Sequence, residues 1–337
     1  MSLKDEVGNI IQNPKDIKDT TFNYFTKIYN TEHHSSMLNK IHITDSANVL
    51  TTREKDTIDS TLRLFEIKCA LFSFKAMKAP GPNGLHPFFY QKPIGLCNTM
   101  YKLITKIIVN RIKPLLQNII GPTQASFLAN IRVVDNAIMV QEYITHFQNM
   151  KGKNANMILK VDLEKAFDRL EWSFIRESLI FFKFPIKLTT LIMSCLTTSS
   201  ISILVNGTQT DYFKPSRDIR QWDPMSSYLF IVCMKRLSRD INNVVTDKDW
   251  FSISISKGGL FYLFFVDDLT MFARANRRNC ETILAILGNF NVVSGQKAEC
   301  ATSCSAILGI KGDKDFGKYL GFPSSPEGLG IMTSNSS

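Results

Sequence analysis

An α+β fold, an antiparallel sheet backed by helices, is predicted by three stretches of this 337-residue chain. Residues 156–163, Asn-Met-Ile-Leu-Lys-Val-Asp-Leu, read as a strand carrying a single aspartate, Asp162, near its end. Residues 260–273 hold two apolar runs, Leu260 to Val266 and Leu269 to Ala273, joined by Asp267-Asp268, the pattern of a β-hairpin with an acid pair at its turn. Between them lie helical patterns at 172–183 and 186–197, and a longer one opened by Asp223-Pro224 and running through about Val245. A strand at 200–205 interrupts these helices, and Asn206-Gly207 after it signals a second hairpin. That order is compatible with a ferredoxin-like sheet.

The remaining elements follow from local chemistry. Residues 1–64 are mixed and polar, with room for two short helices, and lead into a helical pattern at 65–76. Ala79-Pro-Gly-Pro-Asn-Gly84 is a loop, because two prolines and two glycines fall within six positions. Residues 98–120 read as an amphipathic helix interrupted near Pro114, with Lys102, Lys106, Arg111 and Lys113 on its solvated side. Asp135 is placed to cap a helix over 136–149. The Ser-rich end, Thr333 to Ser337, reads as a disordered tail. These patterns divide the chain at 1–64, 65–155, 156–325 and 326–337.

The acid pair carries the chemistry. Two adjacent carboxylates between apolar runs repel each other and lose solvation, so they need a compensating cation. Hard oxygen ligands of this kind suit Mg²⁺, which keeps water and binds one or two carboxylates together with substrate phosphates. Asp162, on another strand terminus, supplies a third carboxylate, and two-metal catalysis needs carboxylates converging from separate elements. The structural alternatives are plain: turn aspartates that stay solvated, and an Asp162 that caps the next helix.

Composition narrows the class. Forty Lys+Arg against thirty Asp+Glu give a formal net charge of +10, which suits contact with a phosphate backbone. Hydrophobic content of 44% with 21% charged residues excludes a largely disordered chain. Seven cysteines, an odd number without repeating spacing, point to reduced intracellular thiols, and Cys300 and Cys304 lack the companions of a zinc site. Met1-Ser-Leu-Lys-Asp-Glu-Val7 has no signal-peptide core, and the longest apolar run, 260–266, is too short to span a bilayer.

Lys160-Val-Asp162-Leu-Glu-Lys-Ala-Phe167-Asp168-Arg-Leu-Glu-Trp172 and Phe265-Val-Asp267-Asp268 resemble two core motifs of reverse transcriptases, most closely those of plant-type LINE (non-LTR) retrotransposons. Further segments resemble that family in its own order. They are Lys78 to Gly84, Pro93 to Asn98 with Tyr101-Lys102 and Asn110-Arg111, Gln124 to Asn136, Asn206 to Pro224, Ser294 to Lys297, and Lys318 to Pro323. The resemblance implies a right-hand polymerase with partial fingers over 65–155, a palm over 156–325 and a largely absent thumb. It implies that Asp162, Asp267 and Asp268 hold two Mg²⁺ ions and that Phe167 is the steric gate against a ribose 2′-hydroxyl. Arg220 and Gln221 are implied to shape the nucleotide and template pocket, and Tyr319, Leu320 and Gly321 to grip the primer. The implied partners are an RNA template, a DNA primer and dNTPs, with no membrane and an intracellular, nuclear location.

Several positions depart from the family pattern. Lys92 runs straight into Pro93, where the family has dozens of intervening residues. Trp222 and Asp218 stand where glycines are expected, Ser227 replaces a proline, Asn130-Ile131-Arg132 replaces a Gly-Arg pair, and Thr302 replaces a lysine. A degenerate or truncated copy is therefore expected: either a polymerase with impaired nucleotide placement, or a non-catalytic remnant that at most binds nucleic acid.

Overall fold

A computed structural model describes residues 2–4, 8–31, 49–73, 99–120, 138–143, 145, 156–221, 223–247, 250, 253–256, 258–265, 268–300, 304, 307–308, 318–319 and 322–323. The N-terminal part holds a minimal ribbon, β1 (Leu3–Lys4) and β2 (Ile10–Ile11), then α1 (Pro14–Tyr29), α2 (Thr52–Asp59) and α3 (Leu64–Phe72). Local caps start two of these helices. Asn13 Oδ1 accepts from the Lys15 amide with Pro14 at the first helical turn, and Thr51 and Glu54 form a reciprocal capping box.

α4 (Thr99–Ile119) runs unbroken through Pro114, against the interruption expected there. The reason is packing. Ile108, Val109, Ile112, Leu116 and Ile119 are all buried on one face, while Pro114 lies on the exposed side. The tertiary contact of such a stripe outweighs the lost amide. Arg111, expected on a solvated face, is instead a tie. Its guanidinium donates to both carboxylate oxygens of Glu66 at 2.7 and 2.9 Å and to the carbonyls of Ile58, Ser60 and Thr61, which binds α2 and α3 to α4. The same guanidinium holds the Glu66 carboxyl down at about 2.

The main sheet comes from the remaining chain. β3 (Asn156–Leu163) is followed by α5 (Trp172–Phe181), α6 (Ile186–Thr197), a small ribbon of β4 (Leu204–Val205) and β5 (Thr208–Gln209), and α7 (Ser226–Thr246). Asn206 and Gly207 both have positive φ, 49° and 79°, as a two-residue hairpin turn requires. Then come the ribbon of β6 (Ile253–Ser256) and β7 (Gly258–Leu260), the hairpin of β8 (Tyr262–Phe265) and β9 (Asp268–Arg274), α8 (Arg277–Ser294) and β10 (Ala298–Cys300). A further ribbon, β11 (Lys318–Tyr319) and β12 (Phe322–Pro323), ends the described chain. The four-stranded sheet has the order β10-β3-β9-β8, antiparallel throughout. Read in chain order this is fourth-first-third-second, the ferredoxin-like arrangement that the sequence predicts.

Alternation along the strands makes one face a core. Leu159 and Val161 of β3, Leu269 and Met271 of β9, and Phe264 of β8 pack into one buried cluster with Phe174 of α5, Phe230 and Leu237 of α7, and Leu287 and Phe290 of α8. The other face carries Lys160 and Asp268 together with Phe272, whose ring lies 4.8 Å from Tyr143. Among the described residues no helix is long and apolar enough to cross a membrane.

Replacing Arg111 with Met should lower the melting temperature, at a cost of about 2–4 kcal/mol, because a half-buried Glu66 and three carbonyls lose their donor. A chemical-shift titration of Glu66 should show its carboxyl returning toward the ordinary carboxylate range.

Candidate active site

The register of β3 on β9 builds the site. Asn156 faces Arg274, and the pairing steps evenly to Val161 opposite Leu269. One step further along the two strands stand Asp162 and Asp268. On the hairpin, Phe265 pairs with Asp268. Asp162 is also paired on its other side, with Glu299 of β10. A strand end and a hairpin end thus meet at one edge of the palm, with 105 positions (267 − 162) between the two motifs. Asp267 itself lies outside the described residues.

Asp268 already has a cation. Lys160 Nζ sits 3.4 Å from its Oδ1, with the two side chains 41% and 28% exposed. Lys160 is two residues before Asp162 on the same strand, and its pairing with Thr270 brings it diagonally to Asp268. An exposed pair of this kind stabilises the fold little. It shows that Asp268 takes a positive partner at this edge. No group of three or more His, Cys, Asp or Glu side chains is assembled among the described residues.

The turn after β3 carries Phe167. Its ring stacks on Phe230 at 5.0 Å with an 11° interplanar angle, so the gate candidate is also packed against α7. Its carbonyl accepts from the Ile219 amide at 3.0 Å, and the Leu170 carbonyl accepts from Asp218 at 3.2 Å. The turn is buttressed from behind by the segment after α8. Gln296 Nε2 donates to the Ala166 carbonyl, the Glu164 amide to Lys297, and the Glu171 amide to Ser294. Gly295 makes this contact possible. Its φ is 75°, and a Cβ there would lie 2.7 Å from both the Arg169 carbonyl oxygen and Glu171 Cγ. The Ser294-to-Lys297 motif therefore acts as the support of the Phe167 turn.

The pocket candidates fall on one loop. Arg220 lies over the Tyr101 ring, 4.6 Å from its centroid, and the Tyr101 hydroxyl donates to Asp223 Oδ2 at 2.9 Å. Burial and the neighbouring Asp223 push the Tyr101 phenol up. Asp223 is buried, and its Oδ1 accepts from the Met225 amide just ahead of α7. Sequence reading missed this tie between α4 and the loop; the aromatic and the acid are 122 residues apart. Gln221 is exposed beside them, and Trp222 lies outside the described residues. Tyr319 pairs with Phe322 across the β11–β12 turn, whose residues Leu320 and Gly321 also lie outside them. The Lys92-to-Pro93 junction and residues 130–132 are outside the described residues as well.

Asp218 is the strained member of this loop. Its φ is 120°, a value that glycine reaches freely and L side chains rarely do. Burial, then the nearby Asp168, push its carboxyl up to about 7, with Arg220 pulling the other way. Asp168 is itself raised by burial.

Residues 90–323 match the family described as reverse transcriptase (RNA-dependent DNA polymerase). The chain belongs to the reverse transcriptase family. Among its relatives are the 149 kDa protein of transposon TX1 from Xenopus laevis, 21% identical over 277 residues, covering 68% of this chain and 21% of that protein. Another is the Pol polyprotein of the type-2 retrotransposable element R2DM from Drosophila melanogaster, 26% identical over 221 residues, covering 66% of this chain and 20% of that one. The chain thus spans about a fifth of the length of these relatives. Telomerase from Candida albicans is similar at 13% identity and a TM-score of 0.37, covering 50% of this chain and 29% of that one. The palm assignment stands on the strand order and the family match. Reverse transcriptases as a family use a divalent metal.

Asp218 gives a signed pH dependence. Unfolded, its carboxyl releases a proton near pH 4, and folded near pH 7, so the native state loses stability as pH rises across that window and no further above it. Asp218→Asn should therefore raise the melting temperature at pH 8 and change it little at pH 4. Asp218→Gly should stabilise at both, by an extra amount on the order of 1–3 kcal/mol, because it also removes the backbone strain.

Proposed function

We propose that this chain is the RNA-directed DNA polymerase domain of a plant-type non-LTR retrotransposon, in a copy whose nucleotide placement is impaired. The observation that carries the reading is the β3–β9 register, which runs toward Asp162 and Asp268 as neighbours at one end of the paired strands. Asp162, Asp267 and Asp268 are the ligands of two Mg²⁺ ions, which when bound supply charge neutralisation at the reacting phosphate. The partners are an RNA template, a DNA primer and dNTPs, with the element at work in the nucleus. Residues 65–155 serve as partial fingers and 156–325 as the palm, following the N-terminal segment 1–64 and preceding the tail 326–337.

The protein's own residues do the positioning. Phe167, backed by Phe230, presents an aromatic wall against a ribose 2′-hydroxyl. Arg220, held over Tyr101, offers a guanidinium to the nucleotide or template phosphates, with Gln221 exposed beside it. Tyr319, Leu320 and Gly321 hold the primer end, whose 3′-hydroxyl attacks the nucleotide α-phosphorus as pyrophosphate leaves. Such catalysis depends on placing the reactants in line, where small displacement can cost on the order of a hundredfold. The strain at Asp218 supports the impaired reading, because it sits in the loop that carries Arg220 and Gln221.

Primer extension on an RNA template with Mg²⁺ should be slow for the unaltered chain and lost in Asp268→Asn. It should be faster in Asp218→Gly combined with Trp222→Gly. Extension that is indifferent to Asp268→Asn would count against the carboxylate assignment. Vigorous extension by the unaltered chain would remove the impairment. A non-catalytic remnant is the second reading, favoured by the same Asp218 strain, and it predicts no extension from any of these variants.

Nucleic-acid binding should be indifferent to sequence and weaken by about tenfold or more as salt rises from roughly 50 to 200 mM, because contacts to phosphates release counterions. Asp268→Asn should leave it intact or strengthen it. A filter-binding or anisotropy titration that is flat with salt would contradict a phosphate-backbone mode.

A further inference from the structure

The N-terminal helix α1 is seated on the palm beside the Phe167 turn, and one buried guanidinium joins the two. Arg217, 1% exposed, donates through Nε to the Ile28 carbonyl at 2.6 Å and through Nη2 to the Lys27 carbonyl at 3.0 Å. These are last-turn carbonyls of α1, and a cation there complements the helix dipole. The third nitrogen, Nη1, lies 3.5 Å from Glu171 Oε1. Glu171 Oε2 accepts from the Thr31 hydroxyl at 2.8 Å, and the Thr31 amide donates to Ser216 Oγ at 2.7 Å. The backbone closes the same junction, with the amides of Ser216 and Arg217 donating to the Tyr29 carbonyl at 2.9 and 3.3 Å.

The far side of this junction is the gate turn. Glu171 and Arg217 form a backbone bridge, after which Asp218 bonds to Leu170 and Ile219 to Phe167. Residues 217–219 thus run along 167–171 through one isolated bridge and two backbone hydrogen bonds, and Arg217 anchors them. Lys165, in the same turn, donates to the Tyr24 hydroxyl of α1 at 2.7 Å. Phe22 and Tyr29 of α1 close on Phe213, with ring centroids 5.6 and 6.2 Å apart. Glu171 also lies against Gly295, where no Cβ fits. The turn is therefore held by both the segment after α8 and the end of α1, and Glu171 belongs to both contacts.

We propose that Arg217 is a positioning residue: by locking the C-terminal end of α1 to Glu171 it sets the depth of the Phe167 turn, so that α1 governs discrimination between deoxyribose and ribose nucleotides. The proposal rests on the polymerase reading above. A buried Arg–Glu pair contributes modestly to stability when intact, and its removal leaves Glu171 without its cation, so the turn should loosen together with the helix end. Lys cannot reproduce three directed donors from one planar group.

The test uses the full chain in three forms: unaltered, Arg217→Met, and the milder Thr31→Val, which removes one hydroxyl and keeps the guanidinium. Hydrogen exchange is read at the amides of 27–31 and 164–171, with 157–161 and 269–273 as the internal standard. Arg217→Met is expected to speed exchange in both of the first two segments by at least about tenfold while the standard holds, and Thr31→Val to do so more weakly. Loosening of 27–31 alone would overturn the coupling. If Arg217→Met fails to fold, Thr31→Val decides the point by the same comparison. Primer extension with dNTPs and rNTPs in parallel is expected to show a deoxy-to-ribo preference that falls severalfold in the variants, more than kcat for dNTPs falls. An unchanged preference with a loosened turn would overturn the specificity role. Absence of extension in every form, with the exchange pattern as expected, would count against the polymerase reading while leaving Arg217 as the anchor of the turn.

Discussion

The pairing of β3 with β9 is the constraint on which the rest of the palm depends. Six consecutive cross-strand pairs, from Asn156–Arg274 to Val161–Leu269, set which residues face the helices and which face the carboxylate edge. A slip of one residue would turn Leu159 and Val161 out of the core and Lys160 into it, at a cost of several buried aliphatic side chains. Burial thus secures the register, and the register brings Asp162 and Asp268 to the same edge. The hydrophobic face protects a geometry that the acidic edge needs.

Arginines form a second layer of order. Arg111 ties α2 and α3 to α4, Arg217 ties α1 to the Phe167 turn, and Arg220 is held on Tyr101. Each takes carbonyls, a carboxylate or an aromatic face from elements far apart in sequence. A planar group with several fixed donors suits that work, because one side chain can satisfy helix-end carbonyls and an acid together.

Asp218 shows a conflict between local backbone and side chain. The loop holds it at a φ of 120°, in contact with the Phe167 turn, with a carboxyl that burial keeps near neutrality in protonation. The backbone amide and carbonyl are both used, the carbonyl accepting from Trp172 Nε1 at 2.7 Å. The neighbours therefore hold a φ that the side chain disfavours, and the strain is stored in the loop that carries Arg220 and Gln221.

The sequence by itself determined the elements whose signal is local. The alternation over 156–163, the apolar runs around Asp267-Asp268, the Asn206-Gly207 turn and the helix at 186–197 each follow from periodicity or turn chemistry within a dozen residues. The motif order also carried the family, and with it the expectation that Asp162 and the acid pair meet. Only the tertiary structure decided what Pro114, Arg111, Arg217 and Tyr101 do. Pro114 stays helical because a buried stripe on the opposite face outweighs a missing amide, a comparison that local propensity does not contain. The partners of Arg111, Arg217 and Tyr101 lie 45 to 190 positions away, so their roles depend on chain closure, and no spacing in the sequence reports it.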